Sequence, residues 1–257
     1  MTSVAELLVV LSRSHERLVK VLAGLTDAEL TGPSYDDGWS IAQVAAHLGS
    51  SAEIFATILE AGLQGSPTPG SEQFQPVWDR WNAKPPAVQA SDALQFDGAF
   101  LDRVEALPAD EAQRWHMHLF GAEQDLAGLL GMRLSEHALH TWDIVVALDA
   151  DATVSGDAVA IIVDSLPALV GYTGKPAQTP RRVLVTTHDP DRSFLLTIDP
   201  DGARLEAGGA ESTERLTCPA EAFVRLVYGR LDPAHTPGTV DASATDLDAL
   251  RRTFPGL

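Results

Sequence analysis

At 257 residues the chain exceeds the ~100–200 residues of a usual domain, so two domains are expected. Its 45% hydrophobic and 21% charged residues are the balance of an ordinary globular protein, neither disordered nor fibrous, and a net charge of −18 repels a phosphate backbone and excludes nucleic acid as a partner. The lone cysteine, Cys218, allows no internal disulfide, Glu6 stands where a basic and then apolar leader is expected, and no uninterrupted apolar run reaches the roughly 18 residues of a membrane span. The expectation is a cytoplasmic protein with no membrane partner.

Residues 3–24 place Val4, Leu7, Leu8, Leu11, His15, Leu18, Val21 and Leu22 at intervals of three and four, the period of an amphipathic helix. Asp36, Asp37, Gly38 and Trp39 then lead into Ser40, an N-cap candidate whose hydroxyl can accept a free amide of a second helix over 41–63. Gly, Pro and Ser across 64–72 read as a loop, and a short aromatic segment around Phe74, Trp78 and Trp81 ends at Pro85 and Pro86. Leu94, Phe96, Phe100, Leu101, Val104 and Leu107 predict a third helix over 88–107, and the longest periodic stretch, 122–148, predicts a fourth. Four long helices with apolar stripes bury them most simply on one another, so residues 1–150 read as an antiparallel four-helix bundle whose packing order stays open.

A polar gap of Asp149, Asp151, Ser155, Gly156 and Asp157 separates this part from residues 151–257, where period-two segments predict a smaller antiparallel-sheet α/β domain. Residues 183–187 and 194–198 alternate in character, and Asp189-Pro190-Asp191 and 199–202 turn the chain, as in an antiparallel meander. Cys218 and Pro219 stand where an N-cap and first helical residue belong, ahead of a short helix with Ala222, Phe223, Leu226 and Val227 that ends at Gly229. A last helix is expected over about 244–254.

Glu136 and His140 are four residues apart, so on a helix both side chains leave one face and can share an ion. A third ligand from a facing helix would make a three-ligand site with positions open to water or substrate, the pattern of a catalytic rather than structural metal. His47 is the best candidate, because it lies mid-helix among Val44, Ala45, Ala46 and Leu48, a setting that does not favour an imidazole. By itself the Glu136/His140 spacing is a common feature of helix surfaces. Ligand type alone admits Zn, Ni or Fe. Asp143, one turn beyond His140, either supports an imidazole or is a solvated helix residue.

The other candidates read more plainly. His116 and His118 share a face of an extended segment and can in principle chelate, but they, with His15, His137, His188 and His235, are better explained as surface or core polar groups. Cys218 at a helix start would have a lowered thiol pKa, yet with no base nearby it reads as a small capping or buried residue. Trp39 and Trp142 read as packing.

The segments Gly38-Trp39-Ser40 with His47-Leu48, EHALHTWD from Glu136 to Asp143, Leu226 to Arg230, and the terminal LRRTFPG agree in order and spacing with one family. Over nearly its whole length the chain resembles the mycothiol-dependent maleylpyruvate isomerases. The resemblance implies a DinB-like metal-binding four-helix bundle followed by a sterol-carrier-like α/β domain, with His47, Glu136 and His140 as the metal triad. It also implies that Arg230 comes from the second domain to hold a substrate carboxylate; a helix-terminal arginine capping free carbonyls is the other reading. Zn or a similar divalent ion would bind mycothiol or a related low-molecular-weight thiol as a thiolate. That thiolate would attack a small, electrophilic, anionic molecule, as an isomerase or an S-transferase. Two further functions fit the same residues: a metal-dependent hydrolase using activated water, and a non-catalytic ligand-binding or metal-sensing protein. No feature of the sequence sets an oligomeric state.

Overall fold

The computed structural model describes residues 2–119, 121–209 and 211–256. The chain divides into two compact units, Met1–Ala152 and Thr153–Leu257.

In the first unit, α1 (Val4–Ala23) starts from a reciprocal cap in which the Ser3 hydroxyl accepts the Glu6 amide and the Glu6 carboxylate accepts the Ser3 amide. A single turn, α2 (Asp27–Leu30), precedes α3 (Ile41–Leu63), and Ser40 caps α3 by accepting the Gln43 amide at 3.2 Å. Then follow α4 (Ser71–Asn82), α5 (Pro86–Glu105), α6 (Ala109–Arg114), the hairpin β1 (His116–Leu119) and β2 (Ala122–Asp125), and α7 (Leu126–Val145). Helices α1, α3, α5 and α7 form the bundle: α1 packs on α5 and α7, and α3 packs on the same two. This settles the packing order, which helical periodicity leaves open.

Close approach of α3 to its neighbours depends on one glycine. A Cβ on Gly49 would stand 2.2 Å from the buried Trp81 ring and 2.8 Å from the Ala93 Cα, so only a residue without a side chain lets α3 meet α4 and α5 here. Two differences from the predicted elements have local causes. The aromatic segment around Phe74, Trp78 and Trp81 is the helix α4, with Trp81 as its buried residue. Residues 122–125, expected at the start of the fourth helix, are strand β2, because the Asp125 carboxylate caps α7 by accepting the Gly128 amide at 2.8 Å.

The second unit opens with α8 (Gly156–Thr173), a helix that is not among the predicted elements and that holds several β-branched residues of strand propensity. Among the described residues it is the one helix long and apolar enough to cross a membrane; here Ala158, Val159, Ile162, Val163, Leu166 and Val170 are buried, and the helix packs on the sheet unit's own elements. The strands β3 (Arg181–His188), β4 (Arg192–Asp199), β5 (Gly202–Ala207), β6 (Glu214–Pro219) and β7 (Asp241–Ala244) make one sheet in the order β5-β4-β3-β6-β7. The expected meander is β3-β4-β5, all antiparallel; β6 then pairs with β3 in parallel, and β7 closes the edge antiparallel to β6. Between β6 and β7 run α9 (Ala220–Val227) and a short turn of 3-10 helix, and α10 (Leu247–Thr253) ends the fold. Cys218 is therefore a strand residue rather than a helix cap.

Candidate metal centre

Helix α3 carries His47 and helix α7 carries Glu136 and His140. Their ligand atoms all lie within 4.8 Å of one another. His47 Nε2 stands 3.0 Å from Glu136 Oε2, His140 Nε2 stands 3.9 Å from the same oxygen, and the two imidazole centroids are 4.5 Å apart. Side-chain exposures of 29%, 35% and 16% for His47, Glu136 and His140 leave the cluster open to solvent on one side. Two imidazole nitrogens and one carboxylate oxygen, converging with room for exogenous ligands, are a donor set that fits a divalent ion of the zinc type.

The surroundings orient His140. Its Nδ1 lies 2.8 Å from the fully buried Asp143 Oδ2 and 3.5 Å from Asp36 Oδ2, which turns Nε2 toward Glu136 and His47. Burial pulls the His140 pKa down, but the bonds to Asp143 and Asp36, with the charges of Asp143 and Glu136, outweigh it and carry the imidazole up to about 9. Burial likewise opposes ionisation of Glu136, yet the His47 hydrogen bond and the nearby His140, His47 and Arg133 charges bring the carboxyl down to about 2. Without an ion, the cluster thus holds a carboxylate against an imidazolium.

Asp36 belongs to the loop before α3, where the sequence marks it only as a lead-in to the Ser40 cap. The loop is tied to α7 by the Tyr35 amide, which donates to the Asp143 carbonyl at 3.0 Å, and by the Tyr35 ring set edge-on to Trp142 at 4.8 Å. Trp39 from the same loop lies 5.6 Å from the His47 ring and is 41% exposed, so the two tryptophans differ: Trp142 is core, with Nε1 donating to the Ala152 carbonyl, and Trp39 borders the cluster.

A second group of titratable residues fills the bundle interior. Asp97 of α5 accepts from Arg133 Nη2 at 2.7 Å, and its other oxygen meets His137 Nε2 at 2.9 Å and His15 Nδ1 at 2.7 Å. Ser14 Oγ lies within hydrogen-bond distance of His137 Nδ1, at 2.8 Å, and burial pushes the His137 pKa down. Burial would raise the Asp97 pKa, but His137 and Arg133 hold it well below the ordinary range. The donors of His15, Asp97 and His137 also converge, yet Asp97 and His137 are 3% and 0% exposed and a guanidinium already neutralises the carboxylate. This is a hydrogen-bonded core network, with no access for an ion. Asp97 was legible in principle as a lone carboxylate on the apolar stripe of Ala93, Phe100 and Val104.

The remaining sequence candidates fall elsewhere. His116 and His118 lie on the exposed face of β1, bonded to the Arg114 carbonyl and to Glu123, and join no group of three converging donors among the described residues. Cys218 is 1% exposed, and burial pushes its thiol up to about 12, which leaves it protonated and inert. Arg230 is in the second unit, in the loop after α9, where Nη1 donates to the Tyr228 carbonyl at 3.0 Å.

The sequence family described as the mycothiol maleylpyruvate isomerase N-terminal domain matches residues 11–145, more than half of the chain. A crystal structure of the mycothiol-dependent maleylpyruvate isomerase matches with a TM-score of 0.67 at 16% identity, covering 95% of this chain and 95% of that one. A histidine-to-alanine mutant of the mycothiol-dependent maleylpyruvate isomerase matches with a TM-score of 0.65 at 15% identity, over 89% and 90%. YfiT from Bacillus subtilis, described as a probable metal-dependent hydrolase with an unusual four-helix bundle topology, gives 0.45 at 18% identity, over 57% of this chain and 88% of that one. No curated protein matches the chain. At 16% and 15% identity the likeness to the two maleylpyruvate isomerase structures speaks for the fold, a helical bundle followed by a sheet domain.

Proposed function

The chain belongs to the mycothiol maleylpyruvate isomerase family, and we propose that it is a metal- and thiol-dependent enzyme acting on a small anionic electrophile. The observation that carries this reading is the convergence of His47, Glu136 and His140 within 4.8 Å on a partly open surface. His47 Nε2, a Glu136 oxygen and His140 Nε2 would hold the ion, zinc by donor type. Bound there, such an ion lowers the pKa of an incoming thiol and so supplies thiolate near neutral pH.

The chain's own residues do the rest. Asp143 and Asp36 hold the His140 proton on Nδ1 and keep Nε2 available as a ligand. Glu136 stays ionised and needs no proton removed. Trp39 borders the cluster beside the His47 ring. Arg230 is assigned the anionic group of the substrate, a role in which a planar fork matches a carboxylate. With mycothiol as the thiol, sulfur bonds to an electrophilic carbon. In an isomerisation, sulfur adds to one carbon of a double bond, the resulting single bond rotates, and elimination returns the thiol unchanged; in an S-transfer the carbon–sulfur bond is kept and a leaving group departs with its electron pair.

Metal analysis of purified wild type beside His140→Ala tests the centre, with one equivalent of zinc expected for the first and loss for the second. Turnover of maleylpyruvate that requires mycothiol is the expected activity. Catalysis that persists in His47→Ala treated with chelator overturns the proposal, and turnover indifferent to added thiol would point to activated water instead.

A further inference from the structure

The loop that carries Arg230 is not built like an ordinary surface connection, because two guanidinium groups from outside it grip its main chain. Arg225, 2% exposed at its side chain, forms a fork with Glu221, Nε to Oε2 at 2.7 Å and Nη2 to Oε1 at 2.9 Å. Its Nη1 donates to the carbonyls of Arg230 at 3.2 Å and His235 at 2.8 Å, and the Arg230 amide donates back to the Arg225 carbonyl at 2.7 Å. From α10, Arg251 donates through Nε to the Leu231 carbonyl and through Nη2 to Thr236 Oγ1, both at 2.6 Å. Gly229 begins the loop at φ +73, and a Cβ there would stand 2.3 Å from the Gly256 amide nitrogen, so the chain's last residues pass tightly against it.

Burying Arg225 with Glu221 contributes little net stability, since desolvation offsets most of the attraction. What the two arginines deliver is geometry: carbonyls 230, 231 and 235 and the hydroxyl of 236 are each held by a charged donor. We propose that Arg225 and Arg251 are positioning residues that act through the main chain of 228–236 to set Arg230 for an anionic group. This rests on the role assigned to Arg230 above. It also gives a use to the terminal LRRTFPG segment, whose first arginine is Arg251.

The test uses full-length, zinc-loaded protein, with maleate, a stable cis dicarboxylate, as the probe. Calorimetric titration reads anion affinity, and amide hydrogen exchange read by mass spectrometry reports on 228–236. Arg230→Met should weaken maleate binding about tenfold or more while changing exchange in the loop less than Arg251→Met does, since of the loop carbonyls it frees that of Tyr228. Arg251→Met should weaken it about tenfold and also speed exchange across 228–236, leaving zinc content and exchange in α8 and β4 unchanged. Thr236→Val, which removes one grip with little risk to folding, should do both to a smaller degree. If Arg230→Met weakens maleate binding but Arg251→Met and Thr236→Val bind it as wild type does, the positioning proposal alone is overturned. If Arg230→Met binds maleate as wild type does, or wild type does not bind it, the reading of Arg230 falls and the positioning proposal with it.

Discussion

Replacing Asp97 by Asn probes the charged core of the bundle. The Asp97 carboxylate is 3% exposed and is the ion-pair partner of Arg133, whose side chain is fully buried. Arg133 Nη2 has Asp97 and the Leu48 carbonyl, while Nε and Nη1 have no hydrogen-bond partner among the described residues. Asn keeps the shape but not the charge, so Arg133 loses its ion-pair partner inside the bundle, at a cost of ~3–5 kcal/mol. An exposed pair would cost only ~0–1 kcal/mol, and a whole domain has ~5–15 kcal/mol of stability, so the two outcomes are easily separated. Urea unfolding followed by tryptophan fluorescence suits the measurement, because all five tryptophans lie in the first unit and report on it alone. The double variant Asp97→Asn, Arg133→Met removes the cation with the anion and should recover a substantial part of the loss. A single-variant loss below ~1 kcal/mol, or a double variant less stable than the single one, refutes the reasoning.

Acid should weaken the same core. Burial lowers the His137 pKa, so an unfolded chain takes up a proton near pH 6.5 that the folded chain takes up only at lower pH, and stability present above pH 6.5 falls as the pH drops through it. The depressed Asp97 pKa works in the same direction at lower pH. His140, raised to about 9, opposes the His137 effect above pH 6.5, so the comparison is made in His140→Ala: urea midpoints that rise as the pH falls from 7.5 to 5.5 would contradict the His137 reading, and midpoints that rise as it falls from 5 to 3 the Asp97 reading. Zinc affinity should rise with pH, because ligation must displace the proton that His140 holds up to about 9; competition with a chelating dye should show about a hundredfold tighter binding at pH 8 than at pH 6. Asp143→Asn should lower zinc affinity ~10–100-fold with the urea midpoint little changed, and unaltered affinity would remove Asp143 from its supporting role. Gly49→Ala should cost ~1–3 kcal/mol as its methyl meets Trp81 and the Ala93 backbone, and a midpoint equal to wild type would mean that α3 and α5 have room to separate.

Much of the architecture was legible because its causes are local. The i, i+3, i+4 leucines of α1, the Ser40 cap of α3 and the alternation in β3 and β4 are each written within a few residues. Where the structure departs from the predicted elements, a non-local term decides. Helix α8 is rich in β-branched residues whose helical state depends on the elements that bury them, and β2 replaces the expected first turn of the fourth helix because β1 is there to pair with it. Cys218 looked like a cap beside Pro219, but parallel pairing of β6 with β3 extends the strand through both residues.

The candidate site divides in the same way. Residue type and a four-residue spacing were enough to nominate Glu136 and His140, because a helix alone puts both on one face. That Asp36 would come to within 3.5 Å of His140 from a loop about a hundred residues earlier, or that Ser14, His15 and Asp97 would meet His137 and Arg133, depends on which bundle faces oppose each other. So the sequence by itself determined the helices, their apolar stripes and the chemical types on each face, all of them consequences of short-range backbone geometry. Only the tertiary structure decided which faces meet, and hence which charges are compensated, because burial and hydrogen bonding between segments far apart in the chain depend on packing and are encoded in no single stretch.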